Sequence, residues 1–161
     1  AAQTGADLIF NTCSSIGEIV ALGQQFVDTP IIQIDHAMAE VAVRNSGASI
    51  GVLATLPTTL GPTVRLVRRK AEEAGTSVRV FEGLAEGAYE QLVNGNGAEH
   101  DHRILAAAEN LVGRVDLFLL AQASMGRMQG ALAAATNRPV LTSPRLGVEA
   151  VARKLEDLRV V

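Results

Sequence analysis

Short apolar runs alternate with longer segments in which apolar residues recur every three or four positions. Short runs rich in β-branched residues are typical of buried strands, and the longer period is typical of helices packed on one face. The pattern predicts six strands, at residues 7–12, 30–34, 49–55, 77–82, 115–122 and 139–142. It predicts seven helices, at residues 15–24, 36–45, 58–74, 84–93, 98–112, 126–135 and 144–158. Such alternation indicates an α/β fold built from strand–helix units around parallel sheets.

Two helix boundaries have a local chemical basis. Gly75 follows Ala74 and is suited to the left-handed conformation that ends many helices. Ser143 followed by Pro144 predicts an N-cap and a proline in the first helical turn.

Residues 7–15 and 116–124 share one layout: an aspartate, an apolar strand, and then small polar residues that open a helix. Each segment is followed by a short strand introduced by a proline, Pro30 or Pro139. The repetition predicts two similar half-folds whose strand ends meet across a cleft. We expect a partial first α/β domain at 1–47, a second at 48–142, and a C-terminal helix at 143–161 that returns to the first domain.

Composition narrows the function class. The chain has 161 residues, a net charge of −3 and one cysteine. No basic run exceeds residues 68–70, which argues against nucleic acid or an anionic membrane as a partner. No apolar stretch reaches spanning length, and a lone cysteine excludes an internal disulfide, so we expect a reducing cytoplasm. Alanine-rich helices are compatible with a homo-oligomer.

The lone cysteine, Cys13, lies where the first apolar strand ends and a helix begins. In open α/β sheets ligands bind beyond the carboxyl ends of strands, and a helix N-terminus favours a thiolate. The hydroxyls of Thr12, Ser14 and Ser15 surround this position in the sequence. The alternative is that Cys13 is a small buried hydrophobic residue.

A second polar strand end follows residues 50–54. Thr55, Thr58 and Thr59 cluster where a helix starts, which suits a bound carboxylate or phosphate. Plain N-capping by Thr58 is the alternative interpretation. The segment is not a phosphate-binding P-loop, because the glycine-rich stretch and its lysine are absent.

These residues resemble the cofactor-independent aspartate/glutamate/hydantoin racemase superfamily, which includes arylmalonate decarboxylases and maleate isomerases. The resemblance covers essentially the whole chain and rests on the order and spacing of four motifs. They are NTCSS at 11–15, GVLATLPTT at 51–59, LAQASM at 120–125 and TSPRLG at 142–147.

The resemblance implies two pseudo-symmetric α/β domains with an active site between them, no cofactor, no metal, and a small carboxylate or amino-acid substrate. It implies an isomerase in which Cys13 transfers a proton at the carbon next to a carboxylate. The residues that it assigns to binding that carboxylate are Asn11, Ser14, Ser15, Thr55, Thr58 and Thr59.

The sequence departs from the family pattern in two places. Racemases of the family use a second cysteine, and its position falls here on Gln122, with Ser124 two residues later. Glutamine cannot act as a base, so racemisation between two thiols is disfavoured. The family's first strand–helix unit also has no counterpart, so we expect the numbering to begin inside a larger fold, with one wall of the cleft missing.

Three alternatives therefore stay open. The first is a maleate-isomerase- or decarboxylase-like enzyme that uses one cysteine. The second is a non-catalytic homologue that binds carboxylates. A cysteine hydrolase ranks last, because the sequence places no histidine beside Cys13.

Other polar residues carry weaker signals. His36 follows a strand and is either an acid/base at the cleft or a capping or surface residue. Residues 99–102 (Glu-His-Asp-His) resemble a metal cluster, but adjacent side chains on a helix point apart, which favours a solvated helix start. Arg127 and Arg145 are either contacts for an acidic substrate or exposed helix-end residues.

Overall fold

The computed structural model describes residues 2–45 and 49–159, in which parallel strands alternate with helices. The strands within these residues are β1 (Ile9–Asn11), β2 (Ile31–Gln33), β3 (Ser49–Ala54), β4 (Arg79–Leu84), β5 (Leu117–Leu120) and β6 (Val140–Thr142). The α-helices are α1 (Gly17–Gly23), α2 (His36–Asn45), α3 (Pro57–Glu73), α4 (Ala88–Val93), α5 (Gly97–Glu109), α6 (Gln129–Thr136) and α7 (Ser143–Arg159).

The strands form two separate parallel sheets. β1 pairs with β2, with Ile9 opposite Ile31. The larger sheet has the order β4–β3–β5–β6. All of its pairs are parallel, so the carboxyl ends of its four strands share one edge.

The core lies on both faces of the larger sheet, as the period of two in β3 and β5 dictates. Ile50 and Val52 of β3 contribute to a cluster that contains Met38 of α2 and Val67 of α3. Leu53, which faces the other way, packs in a second cluster; that cluster also contains Phe118, Leu120, Ile104 and Leu132. Helices therefore cover both faces of the central strands, which explains why β3 and β5 are buried along their whole length and are mostly apolar.

Helix α7 connects the two sheets. It begins directly after β6 of the larger sheet and packs against α2 and against β2 of the smaller sheet. Gly147 of α7 abuts the backbone of Ile34, the residue that follows β2.

Most of the predicted elements are present, and helix 36–45 has the bounds that the pattern predicts. Gly75 adopts a φ of 64°, which confirms its place after the end of α3. The predicted helix 84–93 is wrong at its start, because Leu84 pairs with Ala54 in the sheet and α4 begins only at Ala88. Between them, Gly87 turns the chain with a φ of 71°.

The predicted N-cap at Ser143 is wrong, and so is the alternative interpretation of Thr58 as an N-cap. α3 begins at Pro57, with Leu56 in the capping position, so Thr58 lies inside the first turn. Ser143 is the first residue of α7, and its buried Oγ has no hydrogen-bond partner among the described residues.

Within residues 2–45 and 49–159, no helix is both long enough and apolar enough to cross a bilayer.

Candidate active site

Three polar segments meet around a cavity of about 270 Å³ at the carboxyl ends of β1 and β5 and at the start of α3. The first segment follows β1, the second is the first turn of α3, and the third follows β5. The residues that line the cavity are Thr12, Cys13, Ser14, Ser15, Thr59, Ala121, Gln122, Ala123 and Ser124. The two segments that share a layout in the sequence therefore lie on one cavity.

Cys13 is exposed, and its backbone is held by the strand that precedes it. The Asn11 side chain accepts a hydrogen bond from the Cys13 N–H at 3.2 Å and donates one to the Cys13 carbonyl at 3.1 Å. These two bonds form a tight turn on which the thiol projects. A single 3-10 turn, Ser14–Ile16, separates Cys13 from α1.

Gln122 forms part of the cavity wall that follows β5. Its Oε1 accepts hydrogen bonds from the Thr55 N–H at 2.7 Å and from the Thr55 hydroxyl at 3.0 Å. Oε1 is therefore the atom that faces β3, and Nε2 has no hydrogen-bond partner within the described part of the chain. An amide with a free N–H group can donate a hydrogen bond to a ligand, but it cannot take up a proton as a base.

Hydroxyl groups connect the cysteine segment to α3. The Ser15 and Thr59 hydroxyl oxygens lie 3.2 Å apart, so one donates to the other. Thr59 is buried, and its carbonyl accepts a hydrogen bond from Thr63 one turn further along the helix. Thr59 is thereby fixed while Ser15 remains exposed.

The structure brings together most of the sequence-predicted site residues, but not all of them. Cys13, Ser14, Ser15, Thr59, Gln122 and Ser124 line the cavity. Asn11 and Thr55 do not line this cavity, but their hydrogen bonds hold Cys13 and Gln122, which do. Thr58 is exposed in the first turn of α3 and does not line this cavity.

Sequence reasoning did not assign Thr12, Ala121 and Ala123 to the site. Each is the immediate neighbour of an assigned residue, so its position at the end of a strand could have predicted that it lines the cavity. Small side chains at 121 and 123 leave room for a ligand between the two walls.

The lining carries little charge. Apart from the Cys13 thiol, no ionisable side chain lines the cavity in the described residues. Arg127 donates to the Asp101 carboxylate, at 2.7 Å from its Nη1, and Arg145 pairs with Glu149. Both arginines thus have acidic partners within the chain.

The histidines lie outside this cavity. His36 is half-buried at the start of α2, and burial lowers its pKa, an effect that the nearby Lys70 cation reinforces. The solvated helix start predicted at residues 99–102 is wrong for His100, which is 1% exposed with its Nδ1 2.7 Å from Asp101. No cluster of three potential metal ligands occurs among residues 2–45 and 49–159.

A larger cavity, of about 580 Å³, lies beside the smaller sheet. Its lining is mostly apolar, with Phe10, Val20 and Ile31 among its members, and it contains neither Cys13 nor Gln122. Asn11 is the predicted site residue in its lining, whereas Cys13, Ser15, Gln122 and Ser124 line the smaller cavity.

Solved structures share this fold. A glutamate racemase isoform from Bacillus anthracis, RacE1, superposes with a TM-score of 0.76 at 15% identity, over 94% of this chain and 58% of its own. An allantoin racemase from Klebsiella pneumoniae gives 0.69 at 16% identity, over 96% and 61%. An unliganded arylmalonate decarboxylase gives 0.54 at 13% identity, over 94% and 70%. The chain thus spans less than two thirds of the length of either racemase.

Sequence comparison gives the family. No curated protein sequence matches the chain significantly. The family model for Asp/Glu/Hydantoin racemase matches residues 1–151, which is nearly the whole chain. This protein therefore belongs to the Asp/Glu/Hydantoin racemase family.

Proposed function

We propose that this chain forms the active site of a cofactor-independent racemase or isomerase, in which Cys13 transfers a proton at the carbon next to a carboxylate. The observation that supports this proposal is the shared cavity, where the Cys13 thiol and the Gln122 amide approach one space from two strand ends. Family membership supports the same reaction type.

The chemistry needs a base and a set of donors. Removing a proton from such a carbon places negative charge on the carboxylate oxygens, and donors that face those oxygens stabilise the resulting enediolate. Cys13 as thiolate takes the proton. Ser14, Ser15 and Ser124 offer hydroxyl hydrogens, and Gln122 offers its Nε2 hydrogens.

The substrate is a small acid or a related neutral compound. A cavity of about 270 Å³ has space for a molecule of amino-acid size. Because neutral donors surround the thiol, a carboxylate would be held by hydrogen bonds rather than by an arginine. The same lining suits the neutral ring of a hydantoin, which belongs in any substrate panel.

We place this activity in the cytoplasm, with a small carboxylate or amino acid as the partner molecule. A thiolate that acts as a base has to remain reduced, and the cytoplasm keeps thiols in that state.

The test is deuterium uptake at the α-carbon in deuterated water, measured by mass spectrometry over a panel of amino acids, dicarboxylates and hydantoins. We expect the wild-type protein to exchange at least one compound, and both Cys13→Ala and Cys13→Ser to lose at least 100-fold in rate, the order of one acid–base group. Ser77→Ala is the matched control, because Ser77 is exposed before β4, at the opposite edge of the sheet. Equal exchange by wild type and Cys13→Ala would refute the proposal.

A second candidate is an enzyme that needs only one cysteine, of the maleate-isomerase or decarboxylase type. Gln122 favours it, because an amide and not a second thiol lines the cavity after β5. In the isomerase version Cys13 adds to an activated carbon of the substrate, so a thioether on Cys13 would accumulate with a slow substrate. An intact-mass increase equal to the substrate, abolished by Cys13→Ala, would favour this candidate over simple proton transfer.

The non-catalytic alternative gives a third result. A carboxylate-binding homologue would show saturable binding of one panel member by calorimetry, with neither deuterium uptake nor a thioether. The three outcomes are mutually distinguishable in one set of samples.

A further inference from the structure

Another, much smaller cavity lies next to the residues that follow Cys13. Its volume is about 10 Å³, which is about the space that one buried water requires. It is bordered by the start of α1, the end of β2 and one face of α3. The residues that line it are Ser14, Gly17, Glu18, Gln33, Asp35, Pro62, Leu66 and Arg69.

Asp35 is the unusual member of this lining. It is 3% exposed, and its buried Oδ1 has no hydrogen-bond partner among residues 2–45 and 49–159. Burying a carboxylate oxygen without a partner costs free energy, and native proteins almost always satisfy such atoms with protein groups or ordered water. The cavity thus adjoins a strong acceptor and has room for one donor molecule.

Direct pairing within the chain does not explain Asp35. Arg69, the cation in this lining, has its Nε 3.8 Å from Glu73 and keeps 39% of its side chain exposed. Glu18 is held by Arg65, with Oε1 2.5 Å from the guanidinium Nε. Among the described residues, Asp35 therefore takes part in none of the ion pairs around the cavity.

Ser14 lines both this rear cavity and the cavity of about 270 Å³ at Cys13 and Gln122, here called the reaction cavity. It is 9% exposed. No hydrogen bond fixes the Ser14 hydroxyl within the described residues, so its proton is free to turn toward either cavity.

We propose that Asp35 is a positioning residue that acts on Ser14 through one buried water in the rear cavity; this role rests on the function proposed above. The water donates one hydrogen to the Asp35 carboxylate and the other to the Ser14 Oγ. The Ser14 hydroxyl hydrogen then points into the reaction cavity, where it donates to the oxygen that gains charge in the reaction. No bond other than hydrogen bonds forms or breaks.

The first test is a crystal structure of the protein at a resolution that shows ordered water. We expect one peak within hydrogen-bond distance of both the Asp35 carboxylate and the Ser14 Oγ. A direct Asp35–Arg69 ion pair, or a rear cavity without that peak, would overturn the proposal. This result does not depend on activity, so it separates failure of the proposal from failure of the proposed function.

The second test is a double-mutant cycle on deuterium uptake. We expect Asp35→Asn and Ser14→Ala each to lower kcat by about twofold to tenfold, the effect of one hydrogen bond, with KM nearly unchanged. Because both changes interrupt the same chain of hydrogen bonds, the double variant should be no slower than Ser14→Ala alone. Effects on kcat that multiply, or a rise in KM alone, would show that Asp35 does not act through Ser14.

Discussion

The side chain of Gln122 accepts one hydrogen bond from the Thr55 N–H and another from the Thr55 hydroxyl, at 2.7 and 3.0 Å. The first of these satisfies a backbone donor just beyond β3, in a residue that is buried. At this position the residue thus has two roles, since it joins the ends of β3 and β5 and presents an amide to the cavity. A second thiol in its place would lose the first role.

Stability variants test the structural role of Gln122. Gln122→Leu leaves the Thr55 donors without an acceptor, and we expect it to lower the free energy of unfolding by about 1–3 kcal/mol. Gln122→Glu keeps an acceptor of the same length and should lose less. Urea unfolding followed by circular dichroism measures both. Equal losses would indicate that the hydrogen bonds to Thr55 contribute little.

His36 links stability to pH. Because burial and the Lys70 cation lower its pKa in the folded state, the unfolded state binds more protons below its ordinary pKa of 6.5. The contribution of His36 is therefore fully present above pH 6.5 and is lost as pH falls through the lower folded value. We expect the free energy of unfolding to decrease from pH 7 to pH 5, and to decrease less in His36→Asn.

The matched comparison isolates this residue, because the two proteins differ only at position 36. Identical pH dependence in wild type and His36→Asn would contradict the assignment.

At the scale of elements, the attachment of α7 to β2 holds the smaller sheet against the rest of the molecule. A Cβ at Gly147 would lie 2.8 Å from the Ile34 carbonyl oxygen, closer than packed atoms allow. The backbone of α7 therefore approaches β2 as closely as it does because residue 147 has no side chain. Gln24 supports the same sheet, since its Oε1 accepts a hydrogen bond from the Ile31 N–H at 2.7 Å.

Two glycine substitutions test this close approach. Gly147→Ala should lower the free energy of unfolding by about 1–3 kcal/mol, because the helix must move away from β2. Gly130→Ala is the control, since Gly130 also lies in a helix and has open space around its Cα. We expect this control to be neutral or to stabilise by up to about 1 kcal/mol. If both variants behave alike, the contact with Ile34 is not limiting.

At the scale of the whole molecule, the two sheets contribute one wall each to the reaction cavity. Periodicity predicted the strands and their parallel arrangement, because β3 and β5 are mostly apolar while the helices are amphipathic. The repeated layout at 7–15 and 116–124 predicted the meeting of two strand ends. Local patterns were therefore sufficient for the fold class and for which strand ends border one cavity.

Details that depend on partners distant in sequence were not predictable. Gln122 and Thr55 are 67 positions apart, so neither segment by itself predicts the hydrogen bonds between them. Asn11 was expected at the substrate, yet its side chain bonds the Cys13 backbone two residues away. His100 is buried although it lies at the start of α5, and its Nδ1 is 3.2 Å from Arg127, 27 positions away, a contact that a helix-start pattern does not specify.

In the proposed reaction the Cys13 thiol exchanges the α-proton from one side of the substrate, and the Gln122 amide lines the same cavity. The most direct measurement incubates the protein with a single enantiomer of an exchanging compound in deuterated water. Mass spectrometry follows the deuterium content of the compound, and chiral chromatography follows its configuration. We expect the wild-type protein to incorporate deuterium with the configuration retained, because Gln122 cannot deliver a proton to the opposite face. Appearance of the other enantiomer as fast as deuterium, or no exchange in any panel compound, would contradict the account.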